Sequence, residues 1–314
     1  MQLHYNILWI DDDIQEGYIE TGDINSIEYF LYDLGFEPHI ETVEDESKLD
    51  NYLNKHKYDL IISDFNLNKI NGDKIIESIR EKGHSTEILF YSGNVNFYDD
   101  KNVKETLAFV DRITFHVGRD TLLDKIEKLI ELTLVKLLEL NATRGLITSA
   151  TSELDVIIED LSMDLIHNKL KKSKEDLDLI IEEYVSDFLD KCPERFRKKH
   201  DEIGFSNIFK SIEANRKWKI FRNLLKEYKK EDSDGIIDNF LKLNTTYFKQ
   251  VIDVRNKFAH SKAEEVDGKF VLKGQYGKED FTFDSDSCIE IRKNLIQHKE
   301  NFDSLIDYFK IGEP

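Results

Sequence analysis

Three aspartates stand directly after apolar runs that are typical of buried strands: Asp11 and Asp12 follow NILWI, and Asp64 follows YDLIIS. In an open parallel sheet, the carboxyl ends of the strands form the crevice in which ligands bind. Carboxylates brought together there repel one another unless a cation neutralises them, and their oxygens suit Mg²⁺. Ser92 ends another apolar run, so its hydroxyl could donate a hydrogen bond into the same crevice. Taken singly, any of these aspartates is more simply a helix N-cap, but their combination in chain order favours a cation site.

A second group of residues with possible chemistry lies in VIDVRNKFAHS, at residues 251–261. Arg255 and His260 are five residues apart, a turn of roughly 500° on an ideal helix, so they do not share a face. Asn256 lies four residues before His260 and does share its face. Arg255 and His260 could converge if the helix frays at its end or if two copies of the chain meet. From spacing alone, a solvated helix face with a satisfied core histidine is the simpler interpretation.

The elements that must position the aspartates alternate between strand and helix over roughly the first 120 residues. Buried parallel strands have short apolar runs, and the helices between them carry apolar residues three and four apart. We therefore predict an α/β domain with a (βα)5 doubly wound parallel sheet, whose strands are Asn6–Ile10, Glu37–Val43, Tyr58–Ser63, Thr86–Tyr91 and Arg112–Val117. The predicted helices between them are Ile24–Leu34, Glu46–His56 and Asp73–Arg80.

Beyond this region the pattern becomes mainly helical. Thr121–Leu140 is predicted as one long amphipathic helix that continues past the sheet as a connector or dimer helix. An all-α bundle follows, with predicted helices near Ser152–Lys171, Glu175–Lys191, Phe205–Lys230, Gly235–His260 and Ser287–Phe309. Phe270–Phe283 alternates around two glycines, as a small β-hairpin would. The predicted domains are residues 1–125, a connector helix at 126–146 and a helical-bundle domain at 147–314.

The N-terminal pattern resembles the receiver domain of two-component response regulators over about residues 3–130. The resemblance rests on ILWIDDD, DLIISDFNLNKINGDKI and EILFYSGN. It implies that Asp64 accepts a phosphoryl group from a sensor histidine kinase or another phosphoryl donor, and that Ser92 is the hydroxyl that follows phosphorylation. It also implies a Mg²⁺ site whose ligands are Asp11, Asp12, Asp64 and the backbone carbonyl of Asn66.

The end of the fifth strand departs from the receiver pattern. Receivers normally have a lysine followed by a proline there, and that ammonium pairs with the acyl phosphate. Here the stretch is RITFHVGRD, with Phe115 or His116 at the aligned position. His116 could substitute in part, because a histidine is partly charged near neutral pH, and Arg112 and Arg119 are further candidates. Phosphorylation with an altered readout, and a receiver used as a constitutive or partner-gated module, both stay open.

The formal net charge of −19 belongs mostly to the N-terminal part of the chain. Residues 1–140 hold 29 acidic and 14 basic residues, a net charge of −15, whereas residues 141–314 hold 34 and 30, a net charge of −4. Residues 191–230 hold 13 basic and 5 acidic residues, so this stretch (+8) could follow an RNA backbone, with Trp218 or Phe221 available for stacking. The candidate RNA-binding residues are Arg195, Arg197, Lys198, Arg216, Lys217 and Lys219. A solvated helix face with Trp218 and Phe221 in the core is the competing interpretation.

The segment RNKFAH, set among helices and followed by a hairpin and a closing helix, resembles the HEPN superfamily over about residues 145–310. That superfamily comprises all-helical domains of prokaryotic toxins, antiviral defence proteins and some eukaryotic ribonucleases. The resemblance implies a homodimeric, metal-independent endoribonuclease with Arg255 and His260 as the catalytic pair and Asn256 assisting. RNA supplies its own 2′-OH nucleophile, a histidine can serve as general acid or base, and an arginine can stabilise the charged transition state.

Other motifs are absent from the sequence: GxxxxGK[ST], a strand-led GxGxxG, HExxH, GxSxG and a DNA-binding helix-turn-helix. Cys192 and Cys288 lack CxxC spacing, which fits a reducing cytoplasm and argues against a cysteine zinc site. No apolar run approaches the ~18 residues of a membrane span, and the acidic N-terminus does not predict a signal peptide. We therefore expect a cytoplasmic protein without a membrane segment.

These patterns predict a response-regulator-type protein whose receiver domain, phosphorylated at Asp64 with Mg²⁺, controls a dimeric HEPN endoribonuclease. Such a protein would suit stress or antiphage defence. The alternative is a non-enzymatic signalling adaptor with a degenerate receiver, whose helical domain binds protein or nucleic acid. Whether the chain is an enzyme stays open at the level of sequence.

Overall fold

The protein, seen in a computed structural model, divides into two compact units. The first unit comprises Met1–Thr143 and Cys288–Lys293, and the second comprises Arg144–Ser287 and Asn294–Pro314. The structure describes residues 3–44, 48–54, 57–67, 72–93, 107, 110–135, 138–185, 202, 204–232, 234–261, 263–266, 269–273 and 280–310.

A five-stranded parallel sheet organises the first unit, as predicted. Its strands have the spatial order β2-β1-β3-β4-β5, and they are β1 (His4–Ile10), β2 (Glu37–Val43), β3 (Leu60–Asp64), β4 (Glu87–Ser92) and β5 (Ile113–Val117). All neighbouring pairs are parallel. The helices are α1 (Asp23–Asp33), α2 (Leu49–Leu53), α3 (Gly72–Glu81) and α4 (Leu122–Leu134), and a π-helical turn at Gln15–Ile19 precedes α1.

Alternation along the strands divides the core of this unit into two layers. Ile7 and Trp9 of β1 face the layer that contains α1 and α4, whereas Leu8 and Ile10 face the layer that contains α3 and the short helix α2. Because helices cover both faces, the central strands carry apolar residues on both faces and are not alternately polar. The two buried layers fix the ends of the strands, and with them the side chains that follow.

The prediction of a single long helix at Thr121–Leu140 is wrong. α4 ends at Leu134, and a separate helix, α5 (Leu140–Asp164), begins six residues later. The hydroxyl of Thr133 donates to the carbonyl of Ile130 at 2.8 Å, a local bond that competes with the backbone pattern of a helix. The apolar stripe runs through the break without glycine or proline, so the sequence carried no stop signal there. The predicted connector at 126–146 therefore covers parts of two helices.

The second unit is mainly helical, as predicted. After α5 and a π-helical turn at Leu165–Lys169, its helices are α6 (Lys174–Val185), α7 (Phe205–Ser211), α8 (Ala214–Tyr228), α9 (Ile236–Leu243) and α10 (Asp253–His260). The last helix, α11 (Ser285–Phe309), belongs to this unit except for Cys288–Lys293, which belong to the first. The helix predicted at Phe205–Lys230 is interrupted by extended backbone at Ile212. The helix predicted at Gly235–His260 is interrupted by a turn that begins at Asn244. Within the described ranges, no helix combines the length and apolar character that a membrane span requires.

A small antiparallel sheet precedes α11. Its strands are β6 (Ala263–Val266), β7 (Lys269–Leu272) and β8 (Phe281–Phe283), in that order. The predicted hairpin at Phe270–Phe283 corresponds to β7 and β8, and β6 was not predicted. β6 is AEEV, with two exposed or half-buried glutamates, so it lacks the apolar alternation that identifies a strand.

Aromatic rings form the centre of the second unit. The rings of Trp218 and Tyr247 have centroids 4.4 Å apart, and Phe221 stacks on Phe302 at 6.0 Å. Trp218 is 4% exposed and Phe221 is fully buried. Trp218 and Phe221 are therefore core residues and not a stacking platform for nucleic acid.

A buried histidine gives the second unit a pH-dependent stability. His298 is 1% exposed; its Nδ1 lies 2.7 Å from Asn244 Oδ1, and its Nε2 lies 2.9 Å from Gln250 Oε1. Burial lowers the pKa of His298 to about 4. Below its ordinary pKa of about 6.5, the unfolded chain binds a proton that folded His298 does not bind.

We expect the free energy of unfolding to fall by about 3 kcal/mol through His298 alone as pH drops from about 6.5 to about 4. Urea denaturation of the wild type and of His298→Gln at a series of pH values measures this contribution, because other titrating groups cancel in the difference. The two curves should converge toward low pH. Parallel curves would contradict the assignment.

Candidate functional site

The carboxyl ends of β1 and β3 bring three carboxylates together. Ile10 pairs with Ser63, so Asp11 and Asp64 lie side by side at the ends of adjacent strands. Ligand oxygens of Asp11, Asp12 and Asp64 all lie within 4.8 Å of one another. We call these three residues the acid cluster; their oxygens are close enough to share one cation.

Hydrogen bonds hold Asp11 in place within the acid cluster. Asp11 is 4% exposed, and its Oδ1 accepts the backbone N–H of Asp13 at 2.7 Å. The Tyr91 hydroxyl donates to Oδ2, and the indole Nε1 of Trp9 donates to the Tyr91 oxygen at 3.1 Å. Burial raises the pKa of Asp11, and the hydrogen bond from Tyr91 opposes that rise. The hydrogen bonds from Trp9 to Tyr91 and from Tyr91 to Asp11 therefore hold the Asp11 carboxylate in one orientation.

Asp64 is poised between its charged and neutral forms. Burial, and then the negative charge of Asp11, raise the pKa of Asp64 to about 7. Its Oδ2 accepts the backbone N–H of Asn66 at 3.2 Å. A carboxyl with this pKa is partly protonated at neutral pH unless a cation neutralises its neighbours. Three neighbouring carboxylates at the carboxyl ends of β1 and β3 therefore fit a hard divalent cation such as Mg²⁺.

Ser92 and Asn66 border the acid cluster. Ser92 is fully buried at the end of β4, and Asn66 Nδ2 donates to its Oγ at 3.2 Å. The loop that carries Asn66 is therefore tied to the neighbouring strand through its amide. Residues 68–71 of the same motif lie outside the described part of the chain.

Gly72 begins α3 in contact with this loop. A Cβ at Gly72 would overlap the carbonyl oxygen of Asp64 and the ring of Phe90. Only glycine lets α3 start this close to the end of β3, which explains why the sequence has Gly at this point of the motif.

The cation expected after the fifth strand is not supplied by His116 or Arg112. His116 pairs with Tyr91 within the sheet, and its Nε2 lies 3.4 Å from Thr121 Oγ1. Burial lowers the pKa of His116, so its ring is mostly neutral at pH 7. Arg112 precedes β5, at the end of the sheet opposite the acid cluster, and donates to the carbonyl of Ser85 at 3.0 Å. Phe115, the other aligned residue, packs its ring on Phe90 with centroids 6.1 Å apart.

Among the described residues, Arg119 is a cation that contacts the segment following β1, next to the acid cluster. Its guanidinium donates to the carbonyl of Gly17, lies 3.6 Å from Asp13 Oδ2 and covers the ring of Tyr18 at 4.5 Å. Burial raises the pKa of Tyr18 to about 12, and the charges of Asp11, Arg119 and Asp64 all act on the same hydroxyl. Arg119 therefore lies in the same electrostatic environment as the carboxylates.

Two tyrosines of this site, Tyr18 and Tyr91, were not predicted. Tyr91 is the penultimate residue of β4, and the sequence pattern assigns it to the core as one more apolar residue. A buried tyrosine hydroxyl usually has a hydrogen-bond partner. A tyrosine at the end of a strand whose neighbours end in aspartates is therefore the sequence signal that could have identified Tyr91.

Tyr91→Phe is expected to weaken Mg²⁺ binding by about tenfold, because the carboxylate of Asp11 loses the hydroxyl that orients it. Isothermal titration of Mg²⁺ into metal-free protein measures the change. Tyr58→Phe is the matched control, since its hydroxyl donates to Glu41 and not to the acid cluster. Equal affinities in wild type and Tyr91→Phe would show that Tyr91 has no part in cation binding.

The RNKFAH residues lie on α10 in the second unit. Arg255 is half-buried. Burial raises the pKa of Asp155, on α5, and the positive charge of Arg255 opposes that rise. Asn256 is half-buried on the same helix. The side chain of His260 lies outside the described part of the structure, so its approach to Arg255 stays a prediction.

The basic stretch is only partly an exposed surface. Lys217 is 5% exposed and its Nζ lies 2.5 Å from Glu159 Oε1, so its assignment as an RNA contact is corrected. The reason is its position on α8, four residues before the buried Phe221 and on the same face. Arg216 is half-buried and Lys219 is exposed. The other candidates, Arg195, Arg197 and Lys198, lie outside the described residues.

Comparison with known proteins identifies a part of the first unit. Residues 23–127 match the family described as response regulator receiver domain. No curated protein matches the chain. Among solved structures, chemotaxis protein CheY4 of Vibrio cholerae, crystallised at pH 4.0, is 22% identical; the alignment covers 40% of this chain and 98% of that chain, with a TM-score of 0.30. Full-length FixJ from B. japonicum is 17% identical, with 72% of this chain and 98% of that chain covered and a TM-score of 0.31. The match identifies residues 23–127 as a response regulator receiver domain, which supports a role in signalling.

Proposed function

We propose that Asp64 accepts a phosphoryl group from a sensor histidine kinase or another phosphoryl donor. The observation that carries this proposal is the convergence of the Asp11, Asp12 and Asp64 oxygens within 4.8 Å at the carboxyl ends of β1 and β3. The three carboxylates and the backbone carbonyl of Asn66 would hold Mg²⁺. When bound, Mg²⁺ neutralises charge on the phosphoryl group that is transferred.

The protein's own residues prepare Asp64 for this chemistry. Only the ionised carboxylate can attack phosphorus, and a pKa of about 7 means that cation binding shifts Asp64 into that form. The backbone N–H of Asn66 orients one carboxylate oxygen of Asp64 at 3.2 Å. Ser92, joined to Asn66 at 3.2 Å, is placed to exchange this bond for one to the phosphoryl group.

Arg119 is our proposed counterpart of the missing receiver lysine. Its guanidinium already contacts Asp13, just after β1, and Gly17 of the π-helical turn that follows. A phosphoryl group on Asp64 would add negative charge to the acid cluster, and in this proposal it competes with Asp13 for Arg119. Such a change of partner would alter the loop after β1, which is a different readout from that of a lysine on β5.

Phosphate uptake from a small acyl phosphate tests this proposal. Full-length protein incubated with the donor is separated on a phosphate-affinity gel, with Mg²⁺ and with EDTA. We expect a shifted band that requires Mg²⁺. The same band in both conditions, or none in either, contradicts the proposed site.

For the second unit, we propose metal-independent RNA cleavage by a homodimer, with Arg255 and His260 as catalytic residues and Asn256 assisting. The observation that favours it is that Arg255 is half-buried on α10 and that its positive charge acts on Asp155 of α5. In this proposal the receiver domain controls how two second units meet. The alternative is an adaptor in which Arg255 only neutralises Asp155. RNA cleavage in EDTA distinguishes the two.

A further inference from the structure

Two histidines and a glutamate lie together at the start of the sheet, away from the acid cluster. His4 begins β1 and pairs in register with Glu37, the first residue of β2. His39 lies two residues after Glu37, so all three side chains project from the same face. One ligand atom from each of the three lies within 4.8 Å of the other two.

The distances suit a shared metal ion. His4 Nδ1 lies 3.0 Å from Glu37 Oε2, and His39 Nε2 lies 4.0 Å from Glu37 Oε1. Ligand atoms around a tetrahedral zinc ion are roughly 3.4 Å apart, given metal–ligand bonds of about 2.0–2.2 Å. The observed pair distances lie on either side of that value, so small side-chain rotations would bring the three atoms onto one ion.

We propose that His4, Glu37 and His39 bind one Zn²⁺ ion, with water as the fourth ligand. Imidazole nitrogens suit zinc and neighbouring transition metals, whereas Mg²⁺ prefers oxygen ligands alone. The side chains of His4, Glu37 and His39 are 31%, 29% and 51% exposed, so an ion can reach them from solvent. The negative charge of residues 1–140, −15, favours any cation in this unit.

The proposed ion would join the edge strand β2 to β1. β2 lies at the edge of the sheet, and only β1 pairs with it among the described strands. A zinc ion bound at the first residues of both strands would add a cross-link where the parallel pair begins. Seven residues separate His4 from Asp11, roughly 23 Å along a strand, so the zinc site and the acid cluster are independent.

A salt bridge between Glu37 and a protonated histidine would produce similar distances without metal. The two explanations differ in what binds. A metal site binds added Zn²⁺ through neutral imidazoles, whereas the salt bridge needs a protonated imidazole and no metal. Titration at pH 7.5 therefore separates them.

The test is calorimetric titration of Zn²⁺ into EDTA-treated, dialysed full-length protein at pH 7.5, with excess Mg²⁺ to occupy the acid cluster. We expect one Zn²⁺ per chain, and at least a tenfold weaker isotherm for His39→Ala, His4→Ala and Glu37→Gln. Melting temperature should rise with Zn²⁺ in the wild type and not in His39→Ala. His39 is the most exposed of the three side chains, so its replacement leaves the fold intact, which circular dichroism checks.

One control keeps the test specific. His84→Ala removes a histidine of the same unit outside the group and should bind Zn²⁺ like the wild type. An isotherm that His39→Ala does not alter, or the absence of heat and of any melting shift at ~1 mM Zn²⁺, would overturn the proposal.

Discussion

Asp64→Asn is expected to abolish phosphate uptake from an acyl phosphate donor. The substitution keeps the size and shape of the side chain but replaces the carboxylate nucleophile with an amide, which does not attack phosphorus under these conditions. It also removes one of the three charges that hold the cation. Intact-mass spectrometry after incubation with donor and Mg²⁺ should show the phosphorylated species in the wild type and none in the variant.

The matched control is Asp13→Asn, which changes the third aspartate of the same run. Asp13 faces Arg119 at 3.6 Å and lies outside the acid cluster, while its backbone N–H, which serves Asp11, is unaffected by the substitution. Phosphorylation should therefore persist in Asp13→Asn. Equal loss in both variants, or uptake by Asp64→Asn at the wild-type rate, contradicts the assignment of Asp64.

Unfolding cannot account for a loss in Asp64→Asn. The pKa of Asp64 is raised in the folded chain to about 7, so ionisation of this group destabilises the fold as pH rises through the interval between its ordinary value and 7. Removing the carboxyl removes that penalty. Without Mg²⁺ at pH 8, Asp64→Asn should melt at a temperature equal to or above that of the wild type.

The parallel sheet could be predicted from sequence because burial on both faces imposes a strong local pattern. The strand Glu37–Val43 was predicted with the observed bounds, and the others differ by one or two residues. The break after Leu134 could not be predicted, because Leu138 continues the same apolar stripe and packs on the same core. What ends α4 is a matter of hydrogen bonding and packing, which periodicity does not record.

The acid cluster was predictable in a different way from its surroundings. The position of a residue after a strand is a local property of the sequence, and it was enough to predict Asp11, Asp12 and Asp64. Support from Tyr91 and the approach of Arg119 depend on contacts between residues about 80 and 100 positions apart along the chain, which only the fold brings together. The burial of Lys217 could not be predicted for the same reason. Its charge suggested an exposed surface, but an ion pair with Glu159 on another helix allows the side chain to be buried.

Arg255→Ala and His260→Ala are each expected to lower RNA cleavage by about 10²–10⁴-fold in EDTA, if the second unit is a ribonuclease. His260 would move the proton of the 2′-OH or of the leaving group, and Arg255 would stabilise the charge that develops on the phosphate. Cleavage of total RNA by purified full-length protein, followed by gel electrophoresis with EDTA present throughout, measures the loss. The phosphorylated and unphosphorylated forms are compared in the same assay.

Two further variants separate catalysis from structure. Lys257→Ala removes a cation of the same helix that pairs with Asp253 at 3.3 Å, and it should leave cleavage unchanged. Arg255→Lys keeps a positive charge for Asp155 and therefore the fold, but lysine lacks the planar fork that contacts two phosphate oxygens, so cleavage should still fall. If Arg255→Lys cleaves like the wild type, the reaction needs only a positive charge at this position, and if Arg255→Ala does so as well, Arg255 has no catalytic role. Absence of cleavage by the wild type in both phosphorylation states would instead favour the adaptor, in which α10 serves the packing of the second unit.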